Sequence, residues 1–433
     1  MTPVAVGVAG CVLLLVLLMS SMPVGFVMAL VGGLGFAVVV SPDAAATMVA
    51  RDLFGTFNRY SLTVIPLFIL MGQVSFHAGI SRRLFRAAYA WLGALPGGLA
   101  MATVGACTVF GAICGSGPAT AATMAAVALP EMKRYGYDME LGTGAVAAGG
   151  SLGMLIPPSV VFIVYGIMTE QSVGALFLAG ILPGILIAVL FCGTIYVHCR
   201  VRPHLGPAAT GTGWKERLQA LGGVAETLVI FAIVMGGLAF GFFTPTEAAA
   251  VGAASTLLVS IVQRRLGIRG LTAALKETAR TSCMVLMIVA GANIFGRFLA
   301  VTRIPFVAAE WLGNLPVPPW MVLLGMMFFY LLGGCFIDAL ALILLTIPVF
   351  YPVVHSLGYD LIWFGVVVVL VTQMGVISPP VGVNVYIVSG MERDVSLQTV
   401  FKGALPFLAA LVAAALILLM VPELTLWLPE LMR

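Results

Sequence analysis

Apolar residues run through this chain in blocks close to the roughly 20 that a helix needs to cross the hydrocarbon of a bilayer, with polar residues gathered between them. Uninterrupted blocks predict spanning helices near 4–20, 24–41, 61–79, 174–198, 224–242, 246–263, 280–299 and 404–421. Four stretches depart from that template. Residues 97–130 and 320–353 are too long for one span and are interrupted midway, at GSGPAT (115–120) and GGCFID (333–338). Residues 139–169 and 361–390 are each broken by glycines and a Pro-Pro pair. The first two predict re-entrant hairpins that enter and leave on one side; the other two predict broken helices that cross.

The punctuation repeats. GYD at 136–138 recurs at 358–360, a shift of 222, and in that register Gly153 falls on Gly375, Pro157 and Pro158 on Pro379 and Pro380, Gly111 on Gly333, Ser116 on Asp338 and Pro23 on Pro245. At shifts of 220 and 223, WLGALP (91–96) aligns with WLGNLP (311–316), and GILP (180–183) with GALP (403–406). The chain therefore divides into a first repeat over 1–200, a linker over 201–223 and a second repeat over 224–433. Each repeat makes five net crossings, an odd number, so the second copy sits upside down relative to the first. Inverted repeats with broken helices meeting near the bilayer midplane are the plan of secondary transporters.

Composition fixes the solvent. Of 433 residues, 61% are hydrophobic and 9% charged, against roughly 25% charged in a soluble domain, which excludes an ordinary water-soluble protein and offers nothing for nucleic acid. The first charged residue is Asp43, so the opening block lacks the basic leader of a signal peptide and is expected to remain as a spanning helix. Sixteen of the 21 Lys and Arg residues, among them Arg82, Arg83, Arg86, Lys133, Arg134, Arg264, Arg265 and Arg393, fall on one face once the hairpins contribute no crossing. The positive-inside rule makes that face cytoplasmic, with ten net crossings and both termini outside. Residues 81–92 read as an amphipathic helix along that interface. The seven cysteines form no CxxC pair and no zinc-like spacing with histidine, so they read as small buried hydrophobes.

The interruptions are where chemistry is expected. Backbone groups without partners in hydrocarbon each cost several kcal/mol, so irregular chain at membrane depth needs protein, ions or a watery cavity to satisfy it. A hairpin tip exposes carbonyls and hydroxyls suited to a small hard cation, and the start of its second arm offers free N–H groups to an anion. Candidate cation ligands are Gly115, Ser116, Thr120, Gly150, Gly153 and Pro157 in the first copy, and Gly333, Asp338, Thr372, Gly375, Ser378 and Pro379 in the second. Candidate substrate contacts are Ser116, Gly117, Thr120, Ser159 and Asn384. Asp338 stands out, because an aspartate at a helix centre costs about 2.5–3.5 kcal/mol on insertion scales. Glu247 is better explained by a capping box, Thr244-Pro-Thr-Glu247, with proline at the first helical position. His77 and Arg297, matched at a shift of 220 near opposite ends of spanning helices, read as interfacial groups that snorkel.

GAICGSGPATAATMAAVALPEMKRYGYD (111–138), SLGMLIPPS (151–159), GVISPPVGVN (375–384) and FIDALALILLTIPVFYPV (336–353), with PLFILMG (66–72) and FFTPTEAAAVGA (242–253), resemble the large membrane subunit of TRAP (tripartite ATP-independent periplasmic) transporters. The resemblance spans essentially the whole chain. It implies an all-α polytopic protein of the bacterial inner membrane, with a scaffold and an elevator-type transport domain that contains the hairpins and broken helices. It also implies symport driven by Na⁺ as coupling ion, with sodium held between Gly115–Thr120 and Gly150–Pro158 and between Gly333–Asp338 and Gly375–Pro380. The implied partners are a separate small four-helix membrane subunit, a periplasmic substrate-binding protein and a small carboxylate: a dicarboxylate, a sialic or other sugar acid, or a keto acid.

Two rival classes compete. A stand-alone divalent-anion/sodium symporter would share the hairpin and broken-helix logic. An intramembrane hydrolase would need a second acid beside Asp338 or a base beside Ser116, and His77, His198, His204 and His355 all lie near segment ends. A channel fits less well than either, since no ring-forming selectivity motif occurs.

Overall fold

The structure, a computed structural model, describes residues 2–20, 22–208, 213–313 and 316–431. Asn314 and Leu315 of the WLGNLP motif, residues 209–212 of the linker, and the chain ends lie outside them. Among the described residues the chain is helical with no strand. Six helices are long and apolar enough to cross a membrane, Tyr60–His77, Val173–Val201, Pro245–Val262, Ile268–Thr302, Ala339–Ser356 and Leu397–Met420. Shorter apolar helices, including Pro3–Met19, Val24–Val39 and Leu361–Val376, accompany them. This is a polytopic membrane architecture.

Helix bounds follow most of the sequence pattern, but Ile268–Thr302 begins twelve residues before the expected start at 280. The long interrupted stretches each form two helices: Gly98–Cys114 and Gly117–Arg134, then Pro319–Gly334 and Ala339–Ser356. The second arms run past the expected ends at 130 and 353, and they start and finish 222 residues apart. The broken helices are Met139–Ser151 followed by Val160–Thr169, and Leu361–Val376 followed by Val383–Met391. Their breaks fall later than the glycines suggested. Gly149, Gly150 and Gly375 are helical; the α-helices end at Ser151 and Val376, Gly153 lies in a following 3-10 turn, and the irregular chain runs through the Pro157–Pro158 and Pro379–Pro380 segments. These glycines serve close approach: a Cβ on Gly150 would stand 2.5 Å from Ala121 Cβ.

Two packing groups are apparent. In one, Val24–Val39 lies along Ile268–Thr302 and Val64–His77 packs on both Pro245–Val262 and Ile268–Thr302. A Cβ on Gly32 would stand 2.8 Å from Phe295 Cα, so small residues set this approach. In the other, the hairpins and broken helices pack with Val173–Val201 and Leu397–Met420. Leu361–Val376 is buried at every position after Leu361, as expected of a helix apolar on all faces.

Several elements went unforeseen. Pro42–Phe57 is a helix begun by Ser41, whose hydroxyl accepts from Ala44 N; Asp43, Arg51 and Asp52 hid it from hydropathy. The linker contains Trp214–Gly222, bent by 53° from Ala225–Ala239, and Arg217 stacks between Trp214 and Trp91 at 5.3 and 5.9 Å. The amphipathic segment forms Ile80–Leu92, burying Leu84 and Phe85 and exposing Arg82 and Arg86. The Thr244–Glu247 capping box is present. His77 and Arg297 do not simply snorkel, because each meets an acid: His77 Nε2 lies 3.2 Å from Glu277 and Arg297 Nε 3.3 Å from Asp52.

Candidate functional site

At the first hairpin tip, Gly115 turns the chain with φ +65°, a conformation glycine tolerates. Ser116 is extended and precedes Gly117–Arg134 without capping it through its side chain; with Pro118 lacking an N–H, the N–H groups of Gly117 and Ala119 are the donors at that helix start. Thr120, fully buried, donates its hydroxyl to Ser116 O at 2.8 Å, and Thr120 N donates to the same carbonyl at 3.0 Å. The first break presses against this turn. A Cβ on Gly153 would stand 2.6 Å from Thr120 Oγ1 and 2.9 Å from Ser116 O, and one on Gly111 would stand 2.7 Å from Gly153 Cα. Val160 N donates to Gly115 O at 3.3 Å.

The second tip repeats the arrangement with an acid. Asp338 precedes Ala339–Ser356 and accepts from Leu340 N at 3.1 Å. Gly334 and Gly375 touch backbone to backbone, a Cβ on Gly375 standing 2.5 Å from Gly334 C. Gly382 N, which matches Val160 in the register, donates to Cys335 O at 3.1 Å, two residues before the position that matches Gly115. Thr372 lends its hydroxyl to Val368 O and Val369 O, both at 2.8 Å. Next to it, Gln373 is fully buried and neither amide atom has a partner among the described residues. Carbonyl, hydroxyl and carboxylate oxygens of this kind suit a hard cation, and no cluster of three His, Cys, Asp or Glu occurs among the described residues.

The tips share one cavity. About 170 Å³ in volume, it is bordered by Gly115–Ala119, Met154 and Val160 on the first-repeat side, by Asp338 and Leu340 from the second tip, and by Gln73 and Thr281 from the other packing group. The structure thus brings Gly115, Ser116, Gly117 and Asp338 together and places Thr120, Gly150 and Gly153 directly behind the first tip. Gly333, Thr372 and Gly375 lie behind the second, Gly333 against Leu342. Ser159 and Asn384 stand off the cavity lining. Ser159 donates to Met154 O and accepts from Phe162 N, and Asn384 Nδ2 donates to Ala147 O at 3.1 Å, tying the two broken helices together. Pro157 is buried in its break, Pro379 is exposed in the matching one, and Ser378 donates to Met374 O at 2.6 Å. Gln73 and Thr281 escaped sequence reasoning, although at the shift of 220 that matches His77 with Arg297 they fall on Asn293 and Ser61, polar counterparts that could have flagged them.

A larger cavity of 470 Å³ lies between the packing groups, where Asp52, Arg59, Asn293 and Arg297 face Pro348 and Tyr351.

Comparison with known proteins completes the picture. Residues 11–424 match the model of the DctM component of the tripartite ATP-independent periplasmic transporters. The chain belongs to that family. Among its DctM relatives, the C4-dicarboxylate TRAP transporter large permease of Pseudomonas aeruginosa is 37% identical over 90% of this chain and 91% of its own. The sialic acid large permease of Vibrio cholerae is 33% identical over 96% of each chain. The ectoine large permease of Halomonas elongata is 30% identical over 96% of this chain and 97% of its own. These relatives are named as transporter permeases, so this DctM protein is a transporter subunit and not a hydrolase. Its fold resembles the YdaH transporter of Alcanivorax borkumensis, with a TM-score of 0.62 at 16% identity over 99% of both chains. The MtrF structure of Neisseria gonorrhoeae is similar at 0.56 and 14% identity, over 88% of this chain and 84% of its own.

Proposed function

We propose that this chain is the translocation subunit for sodium-coupled uptake of a small organic acid across the bacterial inner membrane. The carrying observation is the shared cavity, where two irregular tips from corresponding points of the sequence converge. In this reading the two halves are inverted repeats over 1–200 and 224–433, the tips are re-entrant, and both termini are periplasmic. One Na⁺ is held by oxygens of Ser116 and Thr120 with the break at Gly150–Pro157, and a second by Asp338 and Gly333 with Thr372–Pro379. Ser116 and the N–H groups of Gly117 and Ala119 take the substrate carboxylate. The group containing hairpins and broken helices moves as an elevator against the group built on Ile268–Thr302. The larger cavity is the periplasmic vestibule, where Arg59, the cation left once Arg297 pairs with Asp52, offers a first contact to an anion.

TRAP large permeases work with a small membrane subunit and a periplasmic binding protein, and we assign this chain both partners. The test is uptake by liposomes containing the chain and its small subunit, with the cognate binding protein outside. Accumulation should need both an inward sodium gradient and the binding protein. Uptake that proceeds at full rate without the binding protein would instead favour a stand-alone symporter.

A further inference from the structure

The cavity between the tips has a charge inventory that narrows what it accepts, if it is the substrate site proposed above. Its lining includes one carboxylate, Asp338, and no lysine, arginine or histidine. For an anionic group there is a single positive end, the uncapped start of Gly117–Arg134 beside Ser116. The wall from Val64–His77 and Ile268–Thr302 is apolar, with Ile69, Met284 and Val285, apart from the neutral side chains of Gln73 and Thr281. Neither of these makes a hydrogen bond to another described residue.

A second carboxylate would have to stand against that wall with no cation, and burying an unpaired charge is costly. Two sodium ions, one behind each tip, balance Asp338 and one substrate carboxylate; a dianion leaves a net charge uncompensated. A hydroxyl or oxo group, by contrast, finds an amide that donates and accepts and a hydroxyl that does both. We infer that the substrate is a small monocarboxylate with one neutral hydrogen-bonding group and an apolar body, a 2-oxo or 2-hydroxy acid. Gln73 and Thr281 are its specificity-determining residues, and they read the neutral group from the wall opposite the tips.

Equilibrium binding to the purified chain with its small subunit, in sodium chloride, tests this with three probes: 3-methyl-2-oxobutanoate, 3-methylbutanoate and succinate. The oxo acid should bind at least about tenfold more tightly than succinate. Gln73→Leu, and independently Thr281→Val, should weaken the oxo acid by about tenfold and leave 3-methylbutanoate nearly unchanged. Succinate binding as tightly as the oxo acid overturns the inference while leaving the cavity as the substrate site. Equal weakening of both monocarboxylates in both variants removes the specificity role of the two residues. If none of the three acids binds in sodium, the inference falls, while the proposed function is decided separately by the liposome uptake test.

Discussion

Asp338 caps a helix and borders the cavity with the same carboxylate, so the two roles separate by substitution. Asparagine caps about as well as aspartate but has no charge for a cation. Asp338→Asn should therefore keep the folding stability within about 1 kcal/mol and raise the sodium concentration for half-maximal uptake by at least about tenfold. Unaltered sodium dependence would remove Asp338 from the cation site. Gly153 offers a steric test: Thr120 Oγ1 lies 2.6 Å from where a Cβ would stand, so Gly153→Ala should cost about 1–3 kcal/mol by overpacking. Gly193→Ala, in open space within Val173–Val201, should leave the unfolding temperature unchanged or higher. Equal melting of the two variants would show that the break tolerates a side chain. Ser116 and Asp338 were legible because one pairs with the other in the repeat and an acid in an apolar run is conspicuous. The glycines were half legible. Glycine marks both irregular chain and close helix contact, and only the packing shows that Gly149, Gly150 and Gly375 belong to the second kind.

Among elements, the interrupted helix pairs and broken helices were readable because lipid penalises every interruption, which makes each one visible in the apolar pattern. Pro42–Phe57 was not, since its charges resemble a loop. The ion pairs were also invisible, as their partners are far apart in sequence. Lys133, at the foot of the first hairpin, meets Glu392 at 2.6 Å and Asp394 at 2.9 Å just beyond the second broken helix. Hydrogen bonds to Glu392 and Asp394 hold the lysine above its usual range, and Lys133 holds Asp394 below the usual carboxylate range. The lysine's contribution is lost only as pH rises through its raised value, and Asp394's only as pH falls through its lowered one. The clamp should thus be intact throughout about pH 6–8. Lys133→Glu should slow transport severalfold, and adding Glu392→Lys should restore much of the rate. Failure of the second change to rescue the first would mean that the contact does not couple these elements.

For the whole molecule, the 222-residue register carried the placement of the two interrupted stretches, and the bounds of their second arms reproduce it. What it did not carry is the cavity, because convergence of two tips with Gln73 and Thr281 depends on packing between groups remote in the chain. Inversion makes a topological prediction: Lys133 and His355 occupy equivalent positions in the register and should face opposite sides of the membrane. Single cysteines at these positions, in a chain whose seven native cysteines are replaced, should react with an impermeant maleimide from the cytoplasmic and periplasmic sides respectively. Labelling of both from one side would refute the inverted arrangement.

Cations bound at the tips and breaks should stabilise the irregular chain there, and every functional role assigned to those residues depends on it. Thermal unfolding of the purified chain in detergent, titrated with sodium chloride and with potassium chloride at constant ionic strength, addresses this directly. The expected result is a saturable rise in unfolding temperature with sodium, following ligand linkage, that potassium does not reproduce and that Asp338→Asn shifts to higher sodium concentration. Identical melting in the two salts over the whole titration would contradict it.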